Sequence, residues 1–350
     1  MLSRDSDFGQ AALLAGVFWR LGYFVEIKVP IYVPSYVEAY QRISASDIDV
    51  LAIRFHPTFR PELAVAECKS GETGALEELL KVEGARQFLS AKEAYFLKTR
   101  VHQNAREVAR RLGITPFDTS GLEVFAKSIG LNLDVVVPAV SAFYLSRAAM
   151  EHDLAKREQV ASYTRNDYWS RDYWENIHNL IYLLKLSLNS SDGVMDDRAA
   201  FLSMRSASLV GIAVLRMCSD ILASGISETK RAVEIFLYGG PQARRRQERL
   251  ADEVRKASPR SRTIPRVLNP PFTDELTELV AYLLLSPIDA SLTPLVFQAA
   301  ERTLIAPGEI EQLVPVGDIA KKLMKDILQF TLAAAGVSKP QDALPSVFSI

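Results

Sequence analysis

Two short stretches of this 350-residue chain place charged side chains inside apolar runs. The first, SDIDVLAI, carries Asp47 and Asp49, and the second, ELAVAECKSG, carries Glu67 and Lys69. Residues i and i+2 of a strand share a face, so Glu67 and Lys69 are expected to point the same way. If the stretches pair as an antiparallel hairpin centred on Thr58, Asp49 lies opposite Glu67. The pattern therefore predicts two carboxylates and an ammonium group clustered at the edge of a sheet.

These residue types point to a particular chemistry. Buried charges cost several kcal/mol unless they are paired or bind a cation, and a divalent ion relieves the repulsion of two carboxylates. Oxygen ligands without Cys or His favour Mg²⁺ or Mn²⁺, and Mg²⁺ keeps several waters. A phosphate oxygen and an attacking water can take those places, while Lys69 orients the water or helps to deprotonate it. The residues thus predict hydrolysis of phosphodiester bonds.

The same charged residues also allow a purely structural interpretation. Glu67 and Lys69 could form only a salt bridge at a sheet edge, and Asp47 is better explained as a strand-start or turn residue. The otherwise apolar alternation, with Asp49 opposite, favours the site. Cys68 is interpreted as a small core residue rather than a nucleophile.

The surrounding pattern predicts the elements that position these residues. Residues 7–21 have helical spacing, and three strand-like runs follow: YFVEIKVPIYV, DIDVLAIRF and LAVAECK. Residues 75–93 read as a helix with five residues turned inward, namely Leu76, Leu79, Leu80, Phe88 and Leu89. The run AYFLKT is predicted to form the next strand. Two further helices are predicted for QNAREVARRLG and SGLEVFAKSIG. This order predicts a compact α/β unit.

Beyond Pro138 the strand signal nearly vanishes, and helices separated by loops such as NSSDG and YGGPQ follow. We therefore predict two domains. Residues 1–137 form the α/β domain, and residues 138–350 form an all-α domain for substrate or partner binding.

An aspartate at the start of one strand, followed by Glu-x-Lys on the next, within helix–strand–strand–strand–helix–strand order, resembles the PD-(D/E)XK nuclease superfamily. This superfamily includes restriction endonuclease-like and Mrr-like enzymes. The resemblance covers residues 5–125, about a third of the chain. It implies a restriction-endonuclease-like αβββαβ core, a mixed sheet flanked by helices.

The resemblance also implies roles for individual residues. Asp49 and Glu67 match the metal ligands, Lys69 the catalytic lysine, and the backbone carbonyl of Cys68 a further ligand. Gln87 matches a polar helix position that some branches place near the active site, and it could equally be an exposed helix residue. One departure concerns the first helix. Many branches carry a glutamate there, and the nearest match here is the neutral Gln10.

The charge distribution bears on the substrate. The chain has 41 basic and 42 acidic residues, so any surface for nucleic acid must be a local patch. Residues 244–266 hold nine basic against three acidic residues, and arginine suits phosphate contact. Nucleic-acid contact is favoured over a solvated face or one that docks an acidic partner. The basic residues are Arg244, Arg245, Arg246, Arg249, Arg255, Lys256, Arg260, Arg262 and Arg266.

Other features indicate the compartment. The chain has two isolated cysteines, and its N-terminus lacks the pattern of a signal peptide. The apolar stretch SASLVGIAVLRMCSDIL is interrupted by Arg216 and Asp220, which favours a buried helix over a membrane span. A soluble, cytoplasmic protein without a membrane partner is expected.

Together these interpretations predict a Mg²⁺- or Mn²⁺-dependent nuclease. A DNA endonuclease is favoured, and the resemblance suggests a role in bacterial defence or DNA repair. Two alternatives stay open: a non-catalytic nucleic-acid- or protein-binding subunit on a nuclease-like fold, and an RNA-cleaving enzyme that uses the same residues. Because cutting both strands usually needs two active sites, a homodimer or a helicase- or ATPase-like partner is also expected.

Overall fold

The computed structural model describes residues 6–34, 42–71, 74–156, 158–189, 196–257, 269–305 and 317–337. The N-terminal part contains five strands and four helices within these ranges: α1 Asp7–Arg20, β1 Phe24–Pro34, β2 Arg42–Phe55, β3 Pro61–Lys69, α2 Ala75–Leu89, β4 Glu93–Lys98, α3 Gln103–Leu112, β5 Thr115–Asp118 and α4 Thr119–Ser128. The described remainder is helical: α5 Leu133–Ala155, α6 Gln159–Asn166, α7 Tyr173–Asn189, α8 Asp197–Ser224, α9 Thr229–Phe236, α10 Pro241–Ala257, α11 Thr273–Leu285, α12 Pro287–Ser291, α13 Thr293–Ile305 and α14 Asp318–Ala334. An α/β part followed by a helical part is thus confirmed.

The five strands form one mixed sheet in the order β1-β2-β3-β4-β5. The pairs β1–β2 and β2–β3 are antiparallel, whereas β3–β4 and β4–β5 are parallel. The predicted αβββαβ order is therefore present. Strand β5 was not predicted from the sequence, because it has only four residues and begins with Thr115 and Pro116.

The predicted register of the β2–β3 hairpin is confirmed. Val50 pairs with Ala66 and Leu51 pairs with Val65, so the next position outward sets Asp49 across from Glu67. The turn supports this register with its own hydrogen bonds. The backbone N–H of Phe59 donates to the carbonyl of His56 at 2.7 Å. The Phe59 ring is fully buried, which fixes the turn to the core.

The two faces of the sheet pack against different helices. On one face, β3 contributes small side chains to a core shared with α1, α4 and α5, namely Ala64, Ala66 and Cys68. Small side chains allow helix α1 to lie close to the sheet, as predicted for Cys68. On the other face, Leu51, Val65 and Phe96 pack against α2 and α3. Because side chains alternate along a strand, Asp49 and Glu67 share this second face.

Helix α2 turns a different face to the sheet from the predicted one. Leu79 is buried and Leu89 packs against the same core, as expected. Leu76, Leu80 and Phe88 are instead 57%, 57% and 47% exposed, which corrects the prediction. Apolar residues lie nearly all around this helix, so the spacing alone did not determine which side would be buried.

The helical part and the sheet share a core. Helix α8 is buried along most of its length, and its side chains join a cluster that reaches Phe24 on β1 and Ile53 on β2. The predicted division at residues 137 and 138 falls inside α5, whose Val136 and Val140 pack in the α1 core. The first part of α5 therefore packs with the α/β unit.

Among the helices that the structure describes, two reach the length and hydropathy of a membrane span, namely α5 and α8. In α8, 72% of the most apolar window is buried inside the protein, as is usual for the core helix of a soluble protein. The sequence interpretation of this stretch as a buried helix is thus confirmed.

Candidate active site

Asp49 lies at the centre of a cluster of charged side chains. It is 1% exposed, and its two carboxylate oxygens have different partners. The backbone N–H of Cys68 donates to Oδ2 at 2.8 Å, and Lys69 Nζ lies 3.5 Å from the same oxygen. Lys28 Nζ contacts Oδ1. The carboxylate is therefore held in one orientation by strands β1 and β3.

Glu67 is the second carboxylate of the cluster and is 2% exposed. Two ammonium groups contact the same oxygen, Oε1: Lys69 Nζ at 2.7 Å and Lys81 Nζ at 3.0 Å. Burial and the nearby charge of Asp49 raise the pKa of Glu67 to about 7, although the two lysines oppose this shift. The raised pKa reports that two carboxylates share one buried region.

The structure thus brings together three of the residues predicted from sequence: Asp49, Glu67 and Lys69. Burial opposes the charged form of Lys69, but the contacts with both carboxylates outweigh it and raise the pKa of this ammonium group. Lys69 is therefore protonated at neutral pH. It can donate hydrogen bonds and stabilise negative charge.

Lys81 of helix α2 was not identified from the sequence. Besides Glu67, it contacts Asp47 Oδ1 at 3.5 Å. Asp47, Glu67 and Lys81 line a small pocket between β2, β3 and α2 that has room for about one water molecule. Asp47, interpreted from sequence as a turn or strand-start residue, is thus part of the charged cluster.

Lys28 of β1 is a second residue that the sequence did not reveal. Its neighbours Ile27 and Val29 pair with Val50 and Ile48, so Lys28 lies directly across from Asp49. Its φ is +57°, a left-handed conformation that costs a residue with a side chain roughly 1–2 kcal/mol. The only sequence signal is a lone lysine within the apolar run of β1.

Two further charged residues flank the cluster. Lys98 is 1% exposed, and its backbone lies next to that of Lys69 in the parallel register of β3 and β4. Asp7, in the first turn of α1, accepts a hydrogen bond from the backbone N–H of Ser70 at 2.5 Å. Burial acts to raise the pKa of Asp7, but Ser70 and the charges of Lys69 and Lys28 lower it overall.

The first helix therefore offers a carboxylate, but not at the position suggested by the resemblance. Gln10 is fully buried, and its Nε2 donates to Thr99 Oγ1 at 2.9 Å. Asp7 is the α1 residue whose charge interacts with the lysines of the cluster. Sequence reasoning missed Asp7 because an acidic residue in a first helical turn has an ordinary role at the helix N-terminus.

Gln87, the remaining residue predicted for the site, lies elsewhere. Its side chain is exposed, and its Nε2 donates to Glu83 Oε1 on the same helix at 2.8 Å. Lys81 is the α2 residue that reaches the carboxylates, and a rise of 1.5 Å per residue separates the two positions by about 9 Å along the helix. The structure thus does not bring Gln87 to the cluster.

The donor set can be compared with what a divalent ion requires. In the part of the chain that the structure describes, no group of three or more His, Cys, Asp or Glu side chains is arranged to hold a metal. Two carboxylates are enough for Mg²⁺, which keeps several waters. Both lysine contacts of Glu67 involve Oε1, and the backbone of Cys68 lies against Asp49. Two carboxylates are the type of ligand that a hard divalent cation prefers.

The Cys68 thiol has no part in this chemistry. It is fully buried on the opposite face, and burial raises the pKa of the thiol well above its ordinary value. Its contribution to the site is its backbone.

Within the described residues, the predicted basic surface lies on helix α10, and Arg244 does not belong to its exposed face. Arg244 is only 9% exposed, and it donates to the carbonyl of Glu234 at 3.3 Å and to Asn269 Oδ1 at 3.1 Å. Its guanidinium also lies over the Tyr238 ring at 5.0 Å. Arg244 therefore anchors α10 to its neighbours, which makes it a poor candidate for contact with phosphate.

Several other members of the basic segment remain accessible. The exposed ones in the described chain are Arg245, Arg246, Arg249 and Lys256. The side chain of Arg255, and residues Arg260, Arg262 and Arg266, lie outside the described part. The accessible basic side chains of the described residues thus lie on helix α10.

Comparisons with protein-family models, with curated protein sequences and with solved structures found no match to this chain. A functional assignment for this chain is therefore a proposal that rests on its own residues and their geometry.

Proposed function

We propose that this protein is a metal-dependent nuclease with a PD-(D/E)XK-like active site built from Asp49, Glu67 and Lys69. One observation carries the proposal. Two buried carboxylates lie on one face of neighbouring strands, and a single ammonium group contacts both, at 2.7 Å from Glu67 and 3.5 Å from Asp49. A cross-strand salt bridge would need only one carboxylate, whereas two that converge on one ammonium group are an arrangement suited to holding a divalent cation.

Each residue of the cluster has a role in this proposal. Asp49 and Glu67 would hold Mg²⁺ or Mn²⁺, with the backbone carbonyl of Cys68 as a further ligand. The chemistry that the bound ion supplies is polarisation of the phosphate and activation of a water molecule. Because Lys69 is protonated at neutral pH, its role is to orient that water and to stabilise negative charge on the phosphate in the transition state.

The substrate assignment depends on a separate feature. Exposed arginines on α10, such as Arg245, Arg246 and Arg249, offer positive charge for a phosphate backbone. We propose DNA as the substrate and the cytoplasm as the compartment. A role in bacterial defence or DNA repair, with a second copy or a helicase-like partner, follows from the resemblance.

The test is cleavage of three substrates: supercoiled plasmid, single-stranded DNA and RNA. Wild-type protein is assayed with Mg²⁺, Mn²⁺ or EDTA, beside Asp49→Asn and the control Lys92→Met. Lys92 is 64% exposed and pairs with Glu62 at the other end of β3. We expect metal-dependent DNA cleavage by wild type and by the control, and its loss in Asp49→Asn.

Other results would change the assignment. Preferential cleavage of RNA would keep the site and replace the substrate. Binding of nucleic acid without cleavage under any of these conditions would favour a binding subunit on a nuclease-like fold.

A further inference from the structure

We propose that Lys28 competes with the divalent cation for Asp49 and thereby sets the metal affinity of the site. This inference rests on the proposed function, because it assumes that Asp49 is a metal ligand. It adds a residue from β1, a strand that carries none of the residues predicted for the site.

The position of Lys28 is determined by strand pairing. The flanking pairs Ile27–Val50 and Val29–Ile48 keep one register, so the strand delivers Lys28 directly opposite Asp49. Ile27 and Val29 pack into the cores of the sheet, whereas the Lys28 side chain is 42% exposed. The lysine is therefore placed against the carboxylate while it keeps access to solvent.

The contacts of Asp49 divide between its two oxygens. Oδ2 accepts the backbone N–H of Cys68 and lies near Lys69, whereas Oδ1 is contacted by Lys28. The N–H of Cys68 is fixed in place because β3 pairs with β4 at this residue. The Lys28 side chain is flexible and can move away from Asp49. Oδ1 is thus the oxygen that a cation can reach by displacing a side chain.

The backbone at Lys28 is itself unusual for a strand. The residue keeps a positive φ of +57° although its neighbours continue the regular strand pairing. Left-handed conformations of residues other than glycine persist where packing over-determines them, and they concentrate at functional sites. A lysine in an undistorted strand would satisfy the pairing equally well.

The two other lysines that contact these carboxylates act differently. Lys69 contacts both carboxylates, and Lys81 contacts Glu67 and Asp47. Among the ion pairs of the described residues, Lys28 is paired with Asp49 alone. Removing its charge therefore changes the ligand Asp49 while it leaves the contacts of Glu67 in place.

The test is a titration with Mn²⁺ alone, in which the electron paramagnetic resonance signal measures the concentration of free Mn²⁺. It compares wild type with Lys28→Met, Lys28→Arg and the control Lys92→Met, and Asp49→Asn supplies the blank. Lys28→Met keeps the length of the side chain but removes the competing charge. We expect it to bind Mn²⁺ at least about tenfold more tightly than wild type, because a unit charge next to the ligand is lost.

The controls separate competition from a purely structural role. Lys28→Arg keeps the charge and should bind no more tightly than wild type, and Lys92→Met should match wild type. Thermal unfolding gives a second readout: Mn²⁺ should raise the melting temperature of Lys28→Met by more than that of wild type. If Lys28→Met does not fold, Lys28→Gln provides the same comparison with a neutral side chain.

Failure of the inference and failure of the proposed function give different results. Equal or weaker Mn²⁺ binding by folded Lys28→Met, with wild-type binding that Asp49→Asn abolishes, would overturn the competition but keep the metal site. Absence of any Mn²⁺ binding that depends on Asp49 would overturn both.

Discussion

At the scale of single residues, the sequence pattern of the strands identifies some residues of the charged cluster but not others. Asp49, Glu67 and Lys69 could be identified because side chains alternate along strands and the hairpin register follows from its turn. Lys28 and Lys81 could not be identified, because their contacts depend on the β1–β2 register and on the rotation of α2. Neither feature leaves a local sequence signal.

Helix α2 permits a matched comparison at this scale. Lys81→Met removes a contact with Glu67 at 3.0 Å, whereas Gln87→Ala removes only a bond to Glu83 on the exposed side of the same helix. We expect Lys81→Met to lower the rate of DNA cleavage by at least about tenfold, since charge near the phosphate is lost. Gln87→Ala should change the rate less than about twofold. Steady-state cleavage of plasmid measures both.

A larger effect of Gln87→Ala than of Lys81→Met would contradict this placement of α2. It would instead support the position that the family resemblance implied for Gln87.

At the scale of elements, the sequence predicted which segments would form strands and helices better than it predicted their orientation. The three strands β1 to β3 and the helices around them were recognisable from apolar periodicity. Strand β5 was missed because four residues carry too little pattern, and α5 was divided because Pro138 suggested a boundary. That proline lies inside the helix.

The orientation of α2 gives a stability prediction. Leu79 is fully buried against the sheet, whereas Leu80 is 57% exposed. Leu79→Ala should lower the free energy of unfolding by about 2–5 kcal/mol, because it removes buried methyl groups and leaves a cavity. Leu80→Ala should change it by no more than about 0.5 kcal/mol. Urea unfolding followed by circular dichroism measures both, and similar losses for the two variants would mean that α2 packs on another face.

At the scale of the whole molecule, a buried charge network joins the sheet to the helical part. Glu26 on β1 pairs with Arg147 of α5 and lies 2.7 Å from Arg205 of α8. Glu301 of α13 is fully buried, and neither of its oxygens has a hydrogen-bond partner in the described chain. Glu26 and Arg205 are 179 residues apart, so no local pattern could predict their pairing.

This network predicts a dependence of stability on pH. Burial raises the pKa of Glu301 from 4.5 to about 7, so the folded protein holds a proton that the unfolded chain releases. The stabilisation from this proton is complete below about pH 4.5 and is lost as the pH rises through about 7. In Glu301→Gln the side chain stays neutral. The fall in the free energy of unfolding across this range should therefore become smaller than in wild type.

Urea unfolding at a series of pH values measures this difference. Glu26 has a lowered pKa in spite of its burial, because Arg147 and Arg205 surround it, and its contribution is lost in the opposite direction, as the pH falls. An identical pH profile for wild type and Glu301→Gln would show that Glu301 is ionised in the folded protein.

The central claim is that the Asp49, Glu67 and Lys69 cluster hydrolyses phosphodiester bonds. The most direct test is single-turnover cleavage of plasmid DNA with Mg²⁺ by wild type, Lys69→Met and the surface control Lys92→Met. We predict a rate about 10²- to 10³-fold lower for Lys69→Met, the loss typical when one group that stabilises transition-state charge is removed. Lys92→Met should cleave at the wild-type rate. Equal rates for Lys69→Met and wild type, or cleavage that persists in EDTA, would contradict the account.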